Sequence, residues 1–313
     1  MSLIPVGVLG SGSYTPEKVL SNKELEQMVE TNDEWIVTRT GIKERRISES
    51  HQQTADLACE AAKKALASSG VAPEDIDLII VATITPDATF PSTACVLQER
   101  LGMKKAAAFD LSAACSGFIY ALANASNFIA TGTYKHALVI GAERLSSITD
   151  YTDRNTCILF GDGAGAVVLG PVEEGRGFQS FVLGADGTGG PLLNINENGH
   201  IYMNGREVFK FAVRIMGNAA EEALRKANKS KADIDLLVPH QANMRIIESA
   251  LERLELPADK CMVNLDRFGN VSAASIPLAL AEAVENDRIK KGDCLVLVGF
   301  GGGLTWGASV LIW

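Results

Sequence analysis

Asp110-Leu-Ser-Ala-Ala-Cys115-Ser-Gly-Phe-Ile-Tyr-Ala-Leu-Ala-Asn124 is the stretch on which the reading of this chain turns. Apolar residues before it suggest a strand, and the run after it, through Ala130, has helical character without one charged side chain. A helix that is apolar on every face belongs in the middle of a molecule, covered on both sides. Cys115 stands where the strand gives way to the helix. Unpaired amides and the positive end of the helix dipole are expected to stabilise a thiolate there and lower its pKa. A packed, unreactive thiol is the alternative at such a place.

Working outward, apolar runs of strand length alternate with amphipathic stretches of helix length. Strands are expected at 6–9, 78–82, 137–140, 166–169, 236–238, 295–298 and 308–312, and helices at 54–68, 115–130, 208–227, 244–254 and 275–286. This rhythm predicts an α/β protein with a mostly parallel sheet. A weak repeat runs through it. Pro73-Glu-Asp-Ile-Asp-Leu-Ile-Ile-Val81 echoes Lys231-Ala-Asp-Ile-Asp-Leu-Leu-Val238, and Phe160-Gly-Asp-Gly-Ala-Gly-Ala-Val-Val168 echoes Phe300-Gly-Gly-Gly-Leu-Thr-Trp-Gly-Ala308, in the same order. Two similar halves joined near residues 170–177 would explain the echoes, with chance matching of common βαβ patterns as the alternative.

Composition narrows the function. At 313 residues and 47% hydrophobic content, the chain can bury a large core. The N-terminal Met1-Ser-Leu-Ile-Pro-Val6 lacks the basic start and long apolar stretch of a secretion signal, and no apolar run approaches the roughly 18 residues of a membrane span, so a cytoplasmic protein is expected. Six scattered cysteines, without a Cys-x-x-Cys pair or histidines at ligand spacing, predict no metal site. A formal charge of -9 disfavours nucleic acid as a partner, because neutralising phosphates takes a concentrated basic face.

Three further features can carry chemistry. His240 closes the expected strand Leu236-Leu-Val-Pro-His240, and residues at the carboxyl ends of strands gather at one edge of a parallel sheet, where sites form. Asn270 lies in a loop ahead of Pro277, which suits a first helical turn; an ordinary turn residue is the alternative reading. Gly299-Phe-Gly301-Gly302-Gly303-Leu-Thr-Trp-Gly307 offers backbone that can approach a ligand and point amides at it, or a tight hairpin. Neither this run nor Gly161-Asp-Gly163-Ala-Gly165 opens a helix, and Gly10-Ser-Gly12 lacks a third glycine, so a nicotinamide site is disfavoured.

Taken together, Cys115, Pro239-His240-Gln-Ala-Asn243, Gly269-Asn270 and the glycine run resemble the condensing enzymes of the thiolase superfamily across nearly the whole chain. Trp35-Ile-Val-Thr-Arg39-Thr40-Gly41-Ile42 resembles the β-ketoacyl-[acyl-carrier-protein] synthase III branch in particular. The resemblance implies a duplicated five-layered αβαβα fold, two mixed sheets around a buried central helix layer, with halves 1–170 and 171–313 and a homodimer as the usual assembly. It implies acyl transfer from an acyl-coenzyme A to Cys115, then decarboxylative condensation with malonyl-[acyl-carrier protein], with no cofactor beyond the coenzyme A thioester. His240 and Asn270 would complete the catalytic set, and the amides of Cys115 and Gly302 would hold the oxyanion. Trp35, Arg39, Thr40, Arg154 and Asn243 would contact coenzyme A, Phe90 would close the partner's acyl pocket, and Lys210, Arg214 and Arg245 would dock the acidic carrier. A papain-like hydrolase would share the order Cys, His, Asn, but its signature around the cysteine is missing. A non-catalytic relative would have little reason to keep all three polar residues.

Overall fold

The computed structural model describes residues 3–313, so Met1 and Ser2 of the stretch read for a secretion signal lie outside the described residues. The first sheet contains β1 (Val6–Tyr14), β2 (Leu78–Ala82), β3 (Ala107–Leu111), β4 (Ala137–Arg144) and β5 (Asp162–Pro171), in the spatial order β1-β5-β4-β2-β3. The second contains β6 (Gly177–Ala185), β7 (Leu236–Pro239), β8 (Cys294–Gly301) and β9 (Thr305–Ile312), in the order β6-β9-β8-β7. β2 runs parallel to β3 and β4, and β7 parallel to β8, while the remaining pairs are antiparallel, so both sheets are mixed.

Strand for strand, β1-β5-β4-β2 repeats as β6-β9-β8-β7. The sequence echoes fall on matching places, the first leading into β2 and β7 and the second into β5 and β9. This is the duplicated thiolase-like architecture.

Five layers follow from where the apolar side chains point. α1 (Asp33–Thr40) packs against the helix Met244–Leu254 of the second half, while α2 (Thr54–Ser69) and α3 (Thr93–Arg100) cover the outer face of the first sheet. Between the sheets run α4 (Gly117–Ala130) and, from the second half, α7 (Ser275–Glu285). Outside the second sheet pack α5 (Gly205–Lys226) and α6 (Met244–Leu254). β2 shows the sorting: Leu78, Ile80 and Ala82 join the core around α4, whereas Ile79 and Val81 join the core under α2. Alternation within an all-apolar strand is what two covered faces require. Among the described residues no helix is long and apolar enough to cross a membrane.

Two departures from expectation have physical causes. β5 starts at Asp162 rather than near Ala166, because its first residues are glycines and alanines chosen for thinness: a Cβ on Gly165 would lie 2.6 Å from the backbone nitrogen of Leu278 in α7. The helix after Cys115 begins at Gly117, preceded by a 3₁₀ turn over Ala114–Ser116. Cys115 therefore sits in the turn before the helix.

Phe118, fully buried on α4, touches both halves of the fold through the central core. Phe118→Ala should destabilise the protein by about 3–5 kcal/mol, the usual cost of emptying an aromatic site that cannot collapse. Urea unfolding with an unchanged midpoint would contradict the burial of this helix.

Candidate active site

Loops at the carboxyl ends of β3, β7 and β8 meet with the segment before α7 around a cavity of about 390 Å³ lined by Cys115, His240, Asn270, Gly301 and Gly302, among others. The nucleophile is delivered by a strained turn. Ala114 adopts φ 47°, a left-handed backbone that costs a non-glycine residue on the order of 1–3 kcal/mol. Hydrogen bonds hold that turn: Ser116 Oγ donates to the Ala113 carbonyl at 2.9 Å, and Thr305 Oγ1 donates to the same carbonyl at 3.0 Å. The glycine run then passes directly behind the cysteine. A Cβ on Gly301 would lie 2.5 Å from the Cys115 nitrogen, so only glycine fits. The hairpin reading of this run holds, and the turn between β8 and β9 lines the cavity.

His240 is anchored by its own amide, which donates to the Val298 carbonyl at 2.8 Å, and by Ser275 Oγ, 2.6 Å from its Nδ1. Burial alone drives its pKa down to about 3, so the ring is neutral at any working pH. Ser275 has one hydroxyl proton and two acceptors, the Ser272 carbonyl at 2.9 Å and Nδ1; given to Nδ1, it leaves the ring proton on Nε2. Asn270 bridges to Phe160, with its amide donating to the Leu159 carbonyl at 2.8 Å. Its Oδ1 accepts from the Ser272 amide at 2.8 Å, which leaves the Nδ2 amine as the donor for the cavity.

The cysteine departs from expectation in its electrostatics. Burial pushes the Cys115 thiol up to about 12, and a nearby Ser272 hydroxyl only partly offsets this. A lowered pKa was the expectation from a helix start. Desolvation outweighs the dipole because the sulfur lies in an almost fully buried turn rather than on the first helical residue. In the resting protein the sulfur carries its proton.

The residues expected to contact coenzyme A form a second cluster. Trp35 is flanked by two guanidinium groups, Arg39 at 4.8 Å and Arg154 at 5.7 Å from its ring centroid. Asn243 lines the cavity, and its Nδ2 donates to the Arg39 carbonyl at 3.0 Å, tying the rim of the cavity to α1. Thr40 is different. Its hydroxyl donates to the Ile36 carbonyl at 2.7 Å and accepts from the Ile42 amide at 3.0 Å, and its side chain is buried, so it shapes the end of α1 rather than facing a ligand.

Phe90 is 83% exposed and does not line the cavity of its own chain. Of the basic trio, Lys210 is paired with Glu207 at 2.8 Å, and Arg245 donates to the Thr38 carbonyl at 3.1 Å. Arg214 is exposed and makes no ion pair among the described residues. Sequence reading missed Ser272 and Ser275, which fix Asn270 and His240. Serines in a loop carry no distinctive signal, and only the spacing ahead of Pro277 hinted at them.

Residues 109–187 match the family model for 3-oxoacyl-[acyl-carrier-protein] synthase III, and residues 224–313 match that for its C-terminal part. A β-ketoacyl-[acyl-carrier-protein] synthase III of Bacillus pumilus is 59% identical over 307 residues, covering 98% of both chains. The chain belongs to the β-ketoacyl-[acyl-carrier-protein] synthase III family. This synthase III chain superposes on the crystal structure of 3-oxoacyl-[acyl-carrier-protein] synthase III from Aquifex aeolicus with a TM-score of 0.97 at 49% identity, over 98% of this chain and 100% of that one. The corresponding protein of Thermus thermophilus gives 0.95 at 53% identity, over 98% and 99% of the two chains. As a synthase III, the protein is an acyl-transferring condensing enzyme.

Gly301→Ala should displace the Cys115 amide by up to an ångström and lower kcat/KM on the order of 100-fold. Circular dichroism should stay close to that of the parent. Full activity in this variant would show that the backbone contact is not needed for the chemistry.

Proposed function

We propose that this synthase III joins an acyl-coenzyme A starter to malonyl-[acyl-carrier protein], giving a β-ketoacyl-[acyl-carrier protein] and carbon dioxide, the step that begins fatty-acid synthesis. The observation that carries the reading is the meeting of the Cys115 sulfur, the neutral His240 ring and the Asn270 amide on one cavity. Cys115 Sγ attacks the thioester carbonyl, the amides of Cys115 and Gly302 hold the oxyanion, and coenzyme A leaves as its thiol. The malonyl carboxylate then departs as carbon dioxide. The electron pair of the breaking bond moves onto the thioester oxygen, which His240 and Asn270 receive. The enolate carbon attacks the acyl-Cys115 carbonyl, the carbon–sulfur bond breaks, and the released sulfur takes a proton from solvent to restore the thiol.

The division of labour follows the two halves, 1–170 bearing the nucleophile and 171–313 bearing the donors. A neutral imidazole suits this task, since a charged one would have to be desolvated first. No metal or redox cofactor is called for, because thioester exchange and decarboxylation leave every oxidation state balanced within the substrates. Trp35, Arg39 and Arg154 supply planar surfaces and charge for the base and phosphates of coenzyme A, with Asn243 and Thr40 holding α1, which carries the first two. The assembly is a cytoplasmic homodimer in which Phe90 closes the acyl pocket of the partner subunit. Lys210, Arg214 and Arg245 attract the acidic carrier to an otherwise acidic enzyme.

Intact-protein mass spectrometry after exposure to acetyl-, isobutyryl- and longer acyl-coenzyme A should find an adduct on Cys115 alone, discharged by malonyl-carrier protein as a β-ketoacyl product. Release of free acid in place of that product would favour a hydrolase. Asn270→Ala should slow malonyl decarboxylation by on the order of 3 kcal/mol of barrier. Normal decarboxylation in that variant would remove Asn270 from the catalytic set.

Charge reversal tests the docking surface separately. Arg214→Glu should raise the KM for malonyl-carrier protein severalfold and leave acylation by coenzyme A thioesters intact. Equal loss of both would assign this face a structural role.

A further inference from the structure

Arg45 is fully buried, and no carboxylate answers it. Its three acceptors are neutral oxygens: Nη1 donates to the Leu20 carbonyl at 3.1 Å and to Asn22 Oδ1 at 2.9 Å, and Nη2 donates to the Ile158 carbonyl at 2.6 Å. Among the described residues it makes no ion pair, and its Nε has no partner. Burial lowers its pKa only to about 10, so the guanidinium keeps its charge at working pH. A buried cation without a counter-ion is costly, and filling space alone would take an apolar residue. What a guanidinium adds is a rigid fork that can hold two pieces of chain at once.

One side of the fork faces the arm that carries α1. Arg45 lies in the short strand Glu44–Arg46, paired antiparallel with Val19–Ser21. Buried Asn22 accepts from Nη1 and carries the connection onward. Its Nδ2 donates at 2.8 Å both to Asp33 Oδ1, on the first residue of α1, and to the Ile42 carbonyl, just past the end of that helix. Both ends of the helix bearing Trp35 and Arg39 are thus tied to one guanidinium.

The other side holds the segment that seats Asn270. Ile158 precedes Leu159, whose carbonyl accepts from the Asn270 amide at 2.8 Å, and Phe160, which bridges to Asn270; the Gly161 amide donates to the Asn270 carbonyl at 3.0 Å. Arg45 also lies against the glycines beside that bridge, since a Cβ on Gly161 would meet the Arg45 Cβ at 3.1 Å and one on Gly269 at 3.2 Å. Arg154 stands on the turn leading into Ile158. The Cys115 turn is held separately, by Ser116, Thr305 and Gly301, none of which bonds to Arg45.

Given the roles assigned above to Trp35, Arg39, Arg154 and Asn270, on which this rests, we propose that Arg45 is a positioning residue that sets the coenzyme A seat and the Asn270 donor in register with each other. It touches neither substrate nor reacting atoms. One rigid group holds α1 through Asn22 and the Leu159–Phe160 segment through Ile158, so a single side chain fixes the nucleotide's seat relative to the enolate's donor. Lysine keeps the charge but presents its donors from one atom, which cannot span both sides.

Three measurements on the intact enzyme separate this role from a merely structural one: KM for acetyl-coenzyme A, carbon dioxide release from malonyl-carrier protein, and alkylation of Cys115 by iodoacetamide. Arg45→Lys should raise that KM and slow decarboxylation, each by about tenfold, because a displacement of an ångström or less suffices for losses of that order. Alkylation should stay close to the parent rate. Asn22→Ala, which severs only the connection to α1, should raise the KM severalfold and leave decarboxylation at the parent rate, and it stands in if Arg45→Lys does not fold. The coupling is overturned by an unchanged KM or decarboxylation rate in Arg45→Lys, by an unchanged KM in Asn22→Ala, or by decarboxylation falling as far in Asn22→Ala as in Arg45→Lys. Alkylation falling in step with the other two would also overturn it. Trp35→Ala and Asn270→Ala report on the roles beneath: if the first leaves the KM unchanged or the second leaves decarboxylation unchanged, that reading fails first, and the two failures are told apart.

Discussion

The absence of a side chain at Gly301 is the constraint on which the site depends. Backbone from the second half of the chain presses against the amide of the nucleophile in the first half, with no space for one carbon between them. Through that contact the hairpin of β8 and β9 is registered against the turn before α4. His240, paired to β8 through the Val298 carbonyl, is thereby set relative to a sulfur far away in sequence. Duplication makes this possible, because two copies of one strand order present their loops at a common edge. Left-handed backbone at Ala114, Ser272 and Leu304, in three of the four converging segments, records what the convergence costs.

The second theme is neutrality. The donors that would receive an enolate are an uncharged imidazole and a carboxamide, and the nucleophile rests as a thiol. In a buried cavity such fixed dipoles act on developing charge without the penalty of desolvating an ion beforehand. The same burial that silences the histidine as a base raises the carboxyl of buried Glu143, at the end of β4, to about 7, so one cause moves the two groups in opposite directions.

Much of the fold was legible because its signals are redundant. The chargeless run after Cys115, the all-apolar β2 and the paired echoes each pointed to a layered, duplicated α/β molecule. Cys115 and His240 were legible as candidates because each lies just past the carboxyl end of a strand. What escaped reading is carried by small residues. β6 alternates apolar side chains with Gln179, Ser180 and Gly184 and was not expected as a strand, and the first turns of β5 are glycine and alanine pressed against α7. The thiol pKa was misjudged in direction because a sequence shows where a helix starts but not how much solvent reaches the residue before it. Thr40 looked like a ligand contact from its neighbours, yet the turn at Gly41, φ 81°, folds its hydroxyl inward.

The cavity walls carry one more implication. His240 and Asn270 are held by main-chain atoms or by another buried polar group, whereas Leu145, Leu159, Ile201 and Val208 give much of the wall as hydrocarbon. Each such side chain can change size for about 1–3 kcal/mol of discrimination between starters. Choice of starter and the reaction itself are thus encoded in separate sets of positions, and descendants of one ancestral chain can diverge in diet while their chemistry stands still.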